Sequence, residues 1–202
     1  APRRVSRPSP PMFGERTRMK QTLARVACLI AMIATCSGCQ KKESQMDKRD
    51  VPIFGDLRSQ IFTLTSEASG IPPVGTNAVF GVVMDIGFPE GWATIVALAD
   101  GNASLYLSGG GGVIGGVGHE TVRKAAISMN QVADRFANQA TATTSTPLPK
   151  TGDVTFYILT TRGILTATAK EQDLGEQRHE LSPLFYAGQD VITELRLVSD
   201  MK

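Results

Sequence analysis

Seven of the eleven residues from Ser108 to Gly118 are glycine. Glycines let backbone N–H groups converge on one concavity, and a helix starting just behind them adds positive potential, so such a loop can hold an anion. Here the donors would come from Gly110, Gly111, Gly112 and Gly115, with Arg123 as a countercharge for a phosphate or nucleotide. Gly110, Gly112 and Gly115 also satisfy the spacing of the dinucleotide fingerprint. That fingerprint requires a parallel strand-helix-strand setting, however, and the strands before this loop read as antiparallel. No Gly-Lys-Ser/Thr ending makes it a P-loop. A tightly bent connection and a partner-contact loop are the two other readings of the segment. Ser108, His119 and Glu120 invite a nucleophile, base and orienter assignment. Neighbouring side chains at a helix start diverge, though, and Glu120 is explained by the helix dipole. His179-Glu180 lacks the spacing of a zinc helix. Asp85 and Glu90 are the only carboxylates that suggest a pair, and a strand end beside a turn accounts for both. Trp92, Tyr106, Phe156 and Tyr157 read as core or sheet-face residues. No catalytic residue, metal ligand or cofactor is assigned, and the reading leans away from an enzyme.

Charge is divided unevenly along the 202 residues. Before Cys39 stand 7 Lys/Arg against Glu15 alone, which leaves 14 basic and 18 acidic residues from Cys39 onward. A nucleic-acid binder needs a basic face, and no Lys/Arg cluster after Asp50 exceeds Arg123-Lys124, so nucleic acid is set aside. All three cysteines, Cys28, Cys36 and Cys39, precede residue 40. The remainder can form neither disulfide nor thiolate metal site. From Met19 the chain has a charged start with Lys20 and Arg25, then an apolar run from Val26 to Thr35, and then Cys36-Ser37-Gly38-Cys39. The run is about half of the ~20 residues a membrane-spanning helix needs, which reads as an export signal rather than a span. Ser37, Gly38 and Cys39 resemble the lipobox of bacterial lipoproteins, with Cys36 where leucine is usual. The resemblance implies cleavage before Cys39, lipidation of its thiol and anchorage in the cell envelope. Gln40 resembles the second residue that favours the outer membrane in Gram-negative bacteria. Residues 1–18 read as an upstream extension, 19–38 as the signal, 39–50 as lipidated cysteine and polar tether, and 51–202 as one α+β domain.

Within that domain, Leu57, Ile61 and Leu64 recur at helical spacing, with Asp56 near the start. Ala78 to Phe88 and Trp92 to Ala99 are apolar at nearly every position, as expected of strands covered on both faces. Turn signals at Pro89-Glu90-Gly91 and Asp100-Gly101-Asn102 join them to Ala103–Leu107 as a meander. Val122, Ala125, Ala126, Met129, Val132, Ala133 and Phe136 form one face of an amphipathic helix, with Arg123, Lys124, Asn130 and Asp134 facing elsewhere. Ala137 to Asp153 reads as a long surface loop. Val154–Thr160 and Ile164–Ala169 make a hairpin, and Ser182-Pro183 starts a last helix.

The expected order is αβββαββα: a five-stranded antiparallel sheet with helices packed on it. Over roughly Phe54 to Val198 this order resembles the roadblock/longin group of profilin-like domains, whose members dimerise and bind partner proteins. Leu105 to Gly115 and Leu181-Ser182-Pro183-Leu184-Phe185 resemble a family of small bacterial proteins of unknown function. The resemblance implies a lipid-anchored, non-catalytic module whose partner is another envelope protein or a second copy. The alternative class is a small-ligand or enzyme domain using the 108–118 loop.

Overall fold

The computed structural model describes residues 51–200, with side chains from 55 to 199. The export signal, Cys39 and the tether lie outside the described residues.

The long apolar runs form the middle of one antiparallel sheet. β1 (Val79–Phe88) is buried from Val79 to Gly87, and β6 (Asp153–Thr160) from Val154 to Thr160. β2 (Gly91–Leu98) and β3 (Ala103–Leu107) follow β1 as the expected meander, and β7 (Gly163–Lys170) pairs with β6 as the expected hairpin. The sheet has seven strands rather than five, in the order β4-β3-β2-β1-β6-β7-β5. The two additions are short edges, β4 (Gly112–Ile114) and β5 (Thr141–Thr143). Neither carries an apolar alternation, so periodicity could not reveal them. Both lie in segments whose composition reads as loop.

α1 (Val51–Ile61) opens the domain, with the single-turn α2 (Ser66–Ser69) after it. Asp56 falls inside α1, not at its start. α3 (Glu120–Phe136) and α5 (Ser182–Asp200), with the short α4 (Glu171–Gly175) before α5, complete the described elements apart from two 3₁₀ turns. Strand side chains alternate between faces, and the two faces have different covers. Val82, Met84, Ile86, Ile95, Phe156 and Ile158 point to the side covered by α3 and α5. There Val122, Met129, Leu184, Phe185, Val191 and Leu195 are fully buried, each burial being worth on the order of 1.5–3 kcal/mol. The opposite face carries Val83, Val96, Tyr106, Tyr157 and Leu159 under Leu57 and Ile61 of α1 and the Phe62–Leu64 segment. Asn130, expected to face solvent, is fully buried. Its amide donates to the Ala97 carbonyl at 3.1 Å and to the Ala126 carbonyl at 2.9 Å, which ties α3 to β2. Among the described residues no helix is long and apolar enough to cross a membrane.

Candidate functional site

The glycine-rich loop folds as a hairpin whose return strand is β4, and the 3₁₀ segment Gly116–Gly118 stands between it and α3. Gly110 and Gly111, with φ of 93° and 87°, make the turn, where only glycine is comfortable. Two bonds close the turn: Gly110 N–H donates to Leu107 O at 3.1 Å, and Leu107 N–H to Gly111 O at 3.2 Å. Gly112 begins β4, and Gly115 (φ 78°) turns the chain into the 3₁₀ segment Gly116–Gly118 that precedes α3. Arg123 belongs to the other end of the hairpin. Its side chain lies against Gly101 in the turn before β3, while Gly110 and Gly111 follow the end of β3, ~13 Å further along the strand. Arg123 is also engaged, its Nε donating to Glu120 at 3.1 Å. That bond and the charge of Arg123 hold the exposed Glu120 carboxyl below its ordinary range. The structure thus separates Arg123 from Gly110, Gly111 and Gly112.

The other paired suggestions are also taken apart. Ser108 Oγ accepts the Trp92 N–H at 2.8 Å, beside the glycine turn, whereas His119 is the residue before α3 and makes no side-chain cap. His179 Nδ1 accepts the Leu181 N–H at 3.1 Å. Asp85 is not a strand-end residue. It sits inside β1, fully buried, while Glu90 is exposed in the following turn.

The partner of Asp85 is Arg58 of α1. Its Nη2 lies 2.5 Å from Asp85 Oδ2, with Nε at 3.1 Å from the same oxygen. Both residues are buried, so this is the charged pair the fold shields most strongly among the described residues. Register explains its setting. Asp85 is opposite Thr155 of β6 and Thr94 of β2, and Thr155 is opposite Thr168 of β7. A polar row therefore crosses four strands on the α1 side of the sheet. Thr94 Oγ1 donates to Asp85 Oδ1, and the Thr155 and Thr168 hydroxyls meet at 2.9 Å. The guanidinium lies 4.9 Å from the Phe62 ring centroid and 5.8 Å from that of Tyr157, a cation–π enclosure.

A strap closes the row from above. After β5, residues 144–152 cross the sheet face, and Thr146 O accepts from Arg58 Nη2 at 2.9 Å. Tyr157 donates its hydroxyl to Pro147 O at 2.5 Å. The strap ends against β1, where Gly152 N–H donates to Gly87 O at 2.9 Å. Gly87 has to be glycine, because a Cβ there would stand 2.2 Å from Lys150 O. Beside the strap lies a cavity of about 330 Å³ lined by Thr143, Lys150, Thr155, Thr166 and Thr168. Its Thr143, Thr155 and Thr168 hydroxyls are occupied by Ser145 O and by one another.

Burial pushes the Asp85 carboxyl above its ordinary value, against the pull of Arg58 and Thr94. Geometry nevertheless favours the ionised pair, because each carboxylate oxygen receives a donor. Tyr157 is held protonated by desolvation and by the neighbouring Asp85 charge, as its bond to Pro147 requires. The arrangement fastens α1 and the strap to the sheet, and its charged groups are turned inward. Sequence inspection singles out Asp85 as the odd residue of an apolar strand, but an arginine in a short helix looks like any surface arginine. Compared with family models, with curated proteins and with solved structures, the chain finds no match.

Proposed function

We propose that this chain is a lipid-anchored protein of the bacterial cell envelope, attached through Cys39, whose domain is a non-catalytic protein-interaction module. One observation carries the module reading. The buried charged groups are spent on each other, whereas large apolar side chains are left at an open sheet edge: Ile114 of β4 is 62% exposed and Val117, just beyond it, 43%. An apolar edge strand is a template for another chain. The element order supports a profilin-like, roadblock/longin-like build: without the two three-residue edges and the short α2 and α4, the chain reads αβββαββα.

The test is a photo-reactive phenylalanine analogue placed at position 114 in the membrane-bound protein, compared with the same analogue at Leu197. Leu197 is 54% exposed on α5. The expected result is a discrete protein adduct from position 114 and little from 197. Equal background labelling at both positions would remove the edge as an interaction surface and favour the small-ligand alternative.

A further inference from the structure

The way β4 pairs with β3 fixes which of its backbone groups are free. Leu107 N–H bonds Gly111 O, and the register continues Tyr106↔Gly112, Leu105↔Val113, Ser104↔Ile114. Hydrogen-bonded and non-hydrogen-bonded pairs alternate along an antiparallel ladder. Val113 therefore turns its N–H and C=O toward Leu105, and Gly112 and Ile114 turn theirs outward, away from the sheet. Alternation of side chains puts Ile114 on the α1 side of the sheet at its rim and Val113 toward the helices, where it packs against the core. Natural edges are commonly guarded by charges, proline or a bulge. β4 has no such guard in its sequence: from Gly101 to Gly118 the chain holds no charged residue and no proline. The opposite edge, β5, offers only Thr141, Ala142 and Thr143 and no large apolar side chain.

This pattern is self-complementary. We propose that two copies of the chain pair β4 to β4, antiparallel about a twofold axis at Val113, so that each Ile114 lies opposite the other copy's Gly112. The proposal rests on the interaction-module reading and names its partner and surface. Among registers that use the outward groups of Gly112 and Ile114, this one confines the pairing to the three strand residues. Each Gly112 and Ile114 then exchanges both backbone bonds with its opposite, four bonds in all. Glycine opposite isoleucine leaves room on the α1 side for a side chain that one copy alone leaves in water. Val113 faces its own copy across the axis, and no like charges meet there. The sheet continues through both molecules with α3 and α5 on one common side. A closed twofold pairing also uses up the edge, where a head-to-tail one would propagate. Three residues per strand supply only part of the ~1,200–2,000 Å² that a stable interface buries, so the association depends on concentration. Confinement to a membrane raises the effective concentration of the two edges.

The test reads the register directly, in the membrane-bound protein with Cys39 kept as its anchor and the parent chain without an introduced thiol as the blank. In the proposed pairing Val113 and its copy form a non-hydrogen-bonded pair with Cα atoms ~4.5 Å apart, within the ~4.4–6.8 Å a disulfide accepts. Val113→Cys should give a covalent dimer on mild oxidation. Gly109→Cys, an exposed position with open space around it, lies four residues from the axis and thus over ~20 Å from its copy by strand rise. It should remain monomeric. Adding Ile114→Lys to Val113→Cys should lower the dimer yield by about tenfold, the factor that ~1.4 kcal/mol carries. Equal yields at positions 109 and 113, or no dimer at 113 from protein with an unchanged circular-dichroism spectrum, would overturn the proposal. If the 113 dimer is absent while the photo-reactive group at 114 still captures another protein, self-pairing falls and the interaction module stands.

Discussion

An ionised carboxylate inside a sheet loses its hydration, an effective cost of several kcal/mol even after relaxation, unless a donor set replaces the water. Asp85 has such a set in Arg58 and Thr94, and the consequence is asymmetric. The intact pair adds little net stability, but removing one member strands the other. Arg58→Met should lower the unfolding free energy by ~3–5 kcal/mol at neutral pH, as read by denaturant titration. The double variant Arg58→Met with Asp85→Leu should be more stable than either single one. Equal, additive losses would mean that the two groups do not depend on each other. The pH dependence has a definite sign. Burial raises the Asp85 carboxyl, so the folded chain holds that proton more tightly than the unfolded one. Stability contributed by this group is therefore full below the unfolded value of ~3.9, and is lost as pH rises through the folded value. Removing Arg58 takes away a cause that lowers it, so the deficit of Arg58→Met should shrink toward pH ~4. A deficit independent of pH would point to lost packing on Phe62 and Tyr157 instead. Asp85 was visible in the sequence as a charge among β-branched and aromatic neighbours. Arg58, 27 residues earlier in the chain, was not, because nothing local marks an arginine as buried.

The strap depends on one close backbone approach, and that makes it testable as an element. Gly87→Ala would drive a methyl into Lys150 O, a backbone atom that cannot rotate away. We expect a loss of ~1–3 kcal/mol, the usual cost of overpacking, with faster hydrogen exchange at Gly152, whose N–H bonds Gly87 O. Unchanged exchange at Gly152 would show that the strap adjusts without leaving β1. The strap also shows why part of the fold could not be read beforehand. β1, β2, β6 and α3 announce themselves by apolar runs or a 3.6-residue period, and α5 by its Ser182-Pro183 start. β4 and β5 are three residues each, too short to show a period, and residues 144–152 are mostly threonine, serine, proline and glycine; all take their shape from the tertiary surfaces they lie on. The glycine run was legible as a backbone requirement, but its purpose was not. Positive φ in a turn is needed equally by a cradle and by a hairpin, and only the β3–β4 register separates the two. Asn130 has a polarity that suits the outer side of α3, yet its amide donates to the Ala97 and Ala126 carbonyls and is buried.

At the scale of the whole molecule, one charged pair, Arg58 with Asp85, is turned inward while an apolar edge is turned outward. α3 and α5 seal one face of the sheet, α1 and the strap fasten the other, and the β4 rim keeps Ile114 and Val117 in water. Together with the lipobox-like Ser37-Gly38-Cys39 ahead of a polar segment, these features are the basis of the proposal that the domain is held near a surface to meet another chain. More than one acyl chain is needed for stable anchorage, so lipidation and association can be read on the same particle. Native mass spectrometry of the protein extracted from membranes in mild detergent is the most direct measurement. The expected result is a chain beginning at Cys39 and carrying acyl mass, in a stoichiometric protein complex whose abundance drops when Ile114→Lys is introduced. A monomer with residues 19–38 still attached and an unmodified Cys39, indifferent to Ile114→Lys, would contradict it.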